Sequence, residues 1–179
     1  MALVVFLRGV NVGGHRTFQP SLVAKELSSL GVVNVGAAGT FVVRKPISQA
    51  RLRAELLRRL PFEPHIMICS GRDIINIESW APFEGQPSGP DTVRFVSVLA
   101  KRPRVLPTLP LNLPPDDEWL LRIIAIKGRY AFGLYRRQMK TISLLNQIDK
   151  RLGVPVTTRN WNTISAIVKV LKRGREDMV

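Results

Sequence analysis

Val32-Val33-Asn34-Val35 and Thr40-Phe41-Val42-Val43, on either side of Gly36-Ala37-Ala38-Gly39, read as two short strands joined by a glycine-rich turn. Short runs of β-branched and aromatic residues bounded by glycine carry that signal. Working back, Pro20 suits the first turn of a helix. Leu22, Val23, Leu27 and Leu30 mark one face of that helix and Gly31 stops it. Residues 2–7, a short apolar run of β-formers, precede it as a buried strand. Working forward, Ser48 caps a second helix whose inner face is Leu52, Leu56, Leu57 and Leu60, ahead of Pro61. Residues 66–69 form a fourth strand. Ser70 with Asp73 three residues on resembles a capping box with Asp in place of Glu, and a short helix follows through Ile74 and Ile77. The first six elements stand in the βαββαβ order of a ferredoxin-like unit.

Residues 80–90 hold Pro82, Pro87, Pro90, Gly85 and Gly89 and read as a linker. The pattern then starts again. Residues 92–99 form a strand. Residues 101–115 are Pro-rich, and Pro107 and Pro110 forbid a long helix there. Residues 119–126 and 130–135 are strands joined across Lys127-Gly128-Arg129, a hairpin signal. Residues 142–152 read as a helix with Leu145, Ile148 and Leu152 on one face, closed by Gly153; 154–157 form a last strand. Asn160 caps a final helix carrying Trp161, Ile164, Ile167, Val168 and Leu171. The expectation is an α+β protein of two tandem ferredoxin-like (βαββαβ) halves, each with an added helix and a mostly antiparallel sheet. The halves are residues 1–79 and 91–173, with a linker at 80–90 and a tail at 174–179.

The 179 residues are 45% hydrophobic and 22% charged, globular proportions that exclude a disordered chain. The longest apolar run, Met1 to Leu7, has seven residues, against about 20 for a membrane helix, so no membrane partner is expected. It is also too short for a signal peptide. A single cysteine makes no internal disulfide, which points to the cytoplasm. The net charge is +14. Residues 1–90 carry 10 basic and 6 acidic side chains, and residues 91–179 carry 17 and 7, so the excess sits in the second half. Nineteen of the 27 basic residues are arginine, whose planar fork fits phosphate and carboxylate. A field of this sign attracts polyanions; it also serves solubility alone.

Two loops could hold an anion. In Arg8-Gly9-Val10-Asn11-Val12-Gly13-Gly14-His15-Arg16, glycines open main-chain N–H groups to a ligand, and Arg8, His15 and Arg16 add charge. The loop is neither a P-loop nor G-x-G-x-x-G, and it also fits a tight turn with Asn11 bonded to its own backbone. In Thr157-Thr158-Arg159-Asn160-Trp161-Asn162-Thr163, polar side chains stand where a helix N-terminus favours anions. Trp161 there suits either base stacking or the core. Arg136, Arg137 and Lys140, after a strand, could touch phosphates. Cys69 reads as a buried inert thiol, and Asp116-Asp117-Glu118 as a solvated turn. No Cys/His spacing suits zinc, no nucleophile turn is recognisable, and neither a metal nor a cofactor is expected. With 12 aromatics and no interleaved aromatic/basic strand, the chain lacks the pattern of an RNA-recognition sheet.

Leu7-Arg8-Gly9-Val10-Asn11-Val12-Gly13-Gly14 resembles LLRGINVGG, the opening of the bacterial family called domain of unknown function 1697, and Thr158-Arg159-Asn160-Trp161-Asn162-Thr163 resembles its closing TRNWNT. The resemblance implies a cytoplasmic-type α+β protein with two related halves. It carries over Arg8, Asn11, Gly13, Gly14, Arg159, Asn160, Asn162 and Thr163 as a site. Where that family has a Ser-Gly-Asn turn, this chain has Ala38-Gly39-Thr40, and His15 stands where Lys or Arg is common.

The expected function is binding of a phosphorylated small molecule or nucleic acid through Arg8, Asn11, Gly13, Gly14, His15, Arg16, Arg159, Asn160, Trp161, Asn162 and Thr163, by a monomer or a dimer. An alternative is an enzyme on a small anionic metabolite, with arginine clamps and His15 as proton carrier. Another is a non-catalytic protein-interaction module.

Overall fold

Leu3, Val5 and Leu7 alternate with Val4 and Phe6 along β1 (Leu3–Arg8), and all five are buried, so this strand is covered on both faces. A computed structural model describes residues 1–11, 14, 16–116 and 118–176. After β1 come α1 (Pro20–Glu26), a 3-10 turn at Ser28–Leu30, β2 (Val32–Asn34), β3 (Thr40–Val43), α2 (Gln49–Leu57), β4 (His65–Ser70) and α3 (Gly71–Ser79). Pro20 opens α1, and Gly31 ends the 3-10 turn in the left-handed region at φ +63°. Ser48 and Ser70 cap α2 and α3, their hydroxyls accepting from Arg51 N and Asp73 N. The sheet runs β2-β3-β1-β4 with every neighbour antiparallel. One core gathers Leu3, Val5 and Leu7 with Val23, Phe41, Leu52 and Ile68, and α3 packs back on β1 and β4.

The second part holds β5 (Thr92–Leu99), β6 (Leu111–Leu113), β7 (Leu121–Lys127), β8 (Tyr130–Arg136), α4 (Met139–Leu145), α5 (Ile148–Leu152) and β9 (Val156–Asn160), followed by α6 (Trp161–Glu176). Its sheet runs β6-β7-β8-β5-β9, again antiparallel. Lys127 pairs with Tyr130, so β7 and β8 close on the two-residue turn Gly128-Arg129. Phe95, Leu113, Ile123, Ile148 and Leu152 share its core.

The elements depart from the sequence reading in four places. The Pro-rich segment supplies β6, an edge strand between Pro110 and Pro114, because proline is tolerated at strand ends and edges. The helix expected over 142–152 starts at Met139 and breaks after Leu145, where Gln147 N turns back to Leu144 O. β9 continues to Asn160, since its pairing with β5 runs from Leu99↔Val156 to Phe95↔Asn160. The last helix extends through residue 176, into the expected tail, whose residues 177–179 lie outside the described ones.

The chain forms two compact units, residues 1–80 with α6 from Asn162 onward, and residues 81–161. The final helix therefore groups with the first unit, whereas the expected halves place it in the second. Leu171 lies so close to Gly71 that a Cβ there would come within 2.9 Å of its Cδ2. Lys172 Nζ reaches Glu78 Oε2 at 3.2 Å. An apolar helical stripe shows in the sequence, but the partner it packs on does not.

Candidate functional site

β1 carries Arg8 to its end, half-buried, and Gly9 turns the chain at φ +67°. Val10 returns to the core at 3% exposure. Asn11 follows at φ 54°, in the left-handed region that asparagine tolerates. Its Nδ2 donates to Ala37 O at 2.8 Å, its Oδ1 accepts from Phe18 N at 2.9 Å, and its backbone N donates to Arg16 O at 3.3 Å. Asn11 thus closes its own loop and ties it to the β2–β3 turn. Gly14 and Arg16 are exposed, and both have positive φ. Val12, Gly13 and His15 lie outside the described residues. Within the Ala38-Gly39-Thr40 turn, Ala38 is exposed and Thr40 is fully buried.

The second motif lies partly on a strand. Arg159 sits on β9 opposite Val96 and is 8% exposed. One of its terminal nitrogens donates to Thr157 Oγ1 at 2.8 Å and to Thr158 O at 3.0 Å. Loss of hydration lowers its pKa to about 10, so it remains a cation at neutral pH. Trp161 is half-buried and meets Phe83 edge to face, ring centroids 5.0 Å apart. Asn160 and Asn162 are exposed, and Thr163 is half-buried. Of the three basic residues after β8, Arg136 bonds Trp119 O and Glu118, Arg137 bonds Pro90 O, and Lys140 stays exposed.

A different set of cations converges in the second unit. Lys101, Arg104, Lys150 and Arg151 line an open groove of about 530 Å³ with Val105, Pro107, Leu152 and Val154 between them. All four cations are exposed. Among the described residues none of the four is held in an ion pair, and no carboxylate lines the groove. Neighbouring Asp149 is turned to Val156 N. The residues come from the segment after β5 and from the end of α5. Sequence reading did not single them out; their only trace there was the basic excess of residues 91–179. Elsewhere in this unit the guanidinium groups of Arg122 and Arg136 lie over the Trp119 ring, 4.7 Å and 4.5 Å from its centre. Among the described residues no group of three His, Cys, Asp or Glu comes together as a metal cage would require.

A family model described as "Protein of unknown function (DUF1697)" matches residues 1–112. That span contains the glycine loop and ends before Thr158. A solved structure, "conserved bacterial protein SP0830 from Streptococcus pneumoniae", is similar in fold: TM-score 0.54, 20% identity, covering 95% of this chain and 98% of that one. No curated protein matches the sequence.

Proposed function

The chain belongs to the DUF1697 family of proteins of unknown function, and from that premise we propose that it is a binding protein for phosphate-bearing ligands. The observation that carries this reading is the second unit's groove, where Lys101, Arg104, Lys150 and Arg151 stand without acidic partners among the described residues. Four cations around one groove neutralise several phosphates, and arginine forks match phosphate oxygens. The apolar walls carry no aromatic ring, so the groove addresses phosphates rather than base faces. The +14 charge brings polyanions to it.

The glycine loop has a weaker claim, because Asn11 is occupied by Phe18 and Ala37. Arg159 likewise acts inside the protein, holding Thr157 and the Thr158 carbonyl.

We also infer that both units are ferredoxin-like. In the first, β2-β3-β1-β4 with helices after β1 and β3 supports this. In the second, β7-β8-β5-β9 repeats that order, with β6 added at the edge and a Pro-rich segment in place of the first helix.

Fluorescence anisotropy with duplex DNA and with single-stranded RNA tests the function, at about 50 and 200 mM salt. Each phosphate contact contributes about −0.9 to the logarithmic salt slope on duplex DNA. The double variant Arg104→Ser/Arg151→Ser should therefore flatten the slope by about 2. Thermal-shift measurements with small phosphorylated compounds form the second arm, since a ligand at about 100 times its Kd adds about 2.7 kcal/mol. A slope unchanged in the double variant, or no binding in either arm, overturns the proposal.

A further inference from the structure

We propose that a cavity in the first unit, walled by α3, α6 and the segment leaving β3, binds a small carboxylate that carries an apolar body. The cavity measures about 190 Å³. A dry cavity of about 150 Å³ takes a benzene ring, so this one suits a ring or branched chain with one polar end. Ala2, Pro46, Ile75 and Leu171 supply apolar walls, and the charged lining residues are Arg44 and Arg72. Among the described residues no carboxylate lines it.

Arg44 is the anchor. Its Nε is buried and makes no hydrogen bond among the described residues. Packed beside Gly174, this nitrogen is closed to a ligand atom, so an anion in the cavity would meet the guanidinium through its remaining N–H groups. Gly174, in α6, makes the arrangement possible. A Cβ there would come within 3.1 Å of Arg44 Nε and 3.3 Å of its Cδ. Glycine inside a helix is disfavoured against alanine, so its presence here matches the room the guanidinium needs. At the start of α3, Gly71 N already donates to Ala2 O and Asp73 N to Ser70 Oγ, so these two N–H groups are not the anion's partners. Exposed Arg72 adds a second cation at the rim.

A carboxylate fits better than a phosphate. Its two coplanar oxygens match one guanidinium fork. A phosphate monoester brings three acceptor oxygens and nearly two charges, more than these apolar walls can serve.

NMR titration of the full chain with sodium benzoate, benzamide and inorganic phosphate tests the site, alongside Gly174→Ala, Arg44→Gln and Arg72→Gln. Benzoate is expected to move the Ala2, Ile75 and Leu171 resonances, with benzamide and phosphate binding at least about 10-fold more weakly. Arg44→Gln and Gly174→Ala should each weaken benzoate by about 10-fold or more, and Arg72→Gln by less. Gly174→Ala should melt no lower than wild type, so its loss of binding is not unfolding. The proposal fails if benzoate at about 10 mM leaves those resonances in place. It fails equally if benzamide or phosphate matches benzoate, or if Gly174→Ala binds benzoate as wild type does.

Discussion

Asn11 shows how one side chain can look like a ligand group and act as a fastener. Asparagine beside glycines and arginines is a plausible anion contact by type alone, yet both ends of its amide bond backbone atoms, at Ala37 O and Phe18 N. Asn11→Ala should lose both bonds and carry a Cβ at φ 54° without asparagine's tolerance, costing about 2–3 kcal/mol in chemical denaturation. Asn11→Gly should cost about 1 kcal/mol less, because glycine adopts that backbone freely. Equal losses in the two variants would show that the hydrogen bonds alone matter. Glu55 makes a second case. Its hydrogen bond to Arg59 holds the carboxyl below its ordinary value of 4.5, with Arg58 and Arg51 adding to the effect. A lowered folded pKa stabilises the protein above the unfolded value, and that contribution fades as pH falls through the folded one. The gap in melting temperature between wild type and Glu55→Gln should be open at about pH 6 and narrow as the pH falls below the ordinary carboxyl value of 4.5. A gap that persists in acid would assign the effect to shape rather than charge.

The elements show where local signals suffice. The serine caps of α2 and α3, the glycine stop before β2 and the β7–β8 turn all follow from neighbouring residues, because the bonds that make them span four residues or fewer. Pairing does not. β9 runs on to Asn160 because β5 offers it partners as far as Phe95, and β6 exists because β7 has a free edge to lend. Gly133 is the clearest pairing residue. It lies opposite Phe95 on β8, and the Phe95 ring, 5.9 Å from that of Tyr135, crosses the place a side chain would take. A Cβ there would sit 2.5 Å from the Arg122 carbonyl oxygen and closer still to the Phe95 ring. Gly133→Ala should therefore destabilise by about 3 kcal/mol or more, at the upper end for overpacked cores. A stability change below about 1 kcal/mol in urea unfolding would mean that β8 and Phe95 shift freely.

For the whole molecule, charge is the property that composition alone establishes. A net +14 opposes compaction by self-repulsion. Raising salt from about 20 to 200 mM, which shortens the screening length from about 20 Å to below 10 Å, should raise the melting temperature. A melting temperature that does not rise would mean that local pairs already cancel the repulsion. The sequence determined on its own most of the run of strands and helices, though not β6 or the break between α4 and α5, together with the serine caps and tight turns, the apolar faces and the size and sign of the charge, because each depends on residue type and short-range spacing. It also carried the family resemblance, through the glycine loop. Only the tertiary structure decided that α6 groups with the first unit, that Arg159 is buried, that Trp161 meets Phe83, and that Lys101 and Arg104 share a groove with Lys150 and Arg151. Those groove residues lie about 50 positions apart in the chain. No local preference encodes such a meeting; it follows from which strands pair and which faces are left to cover.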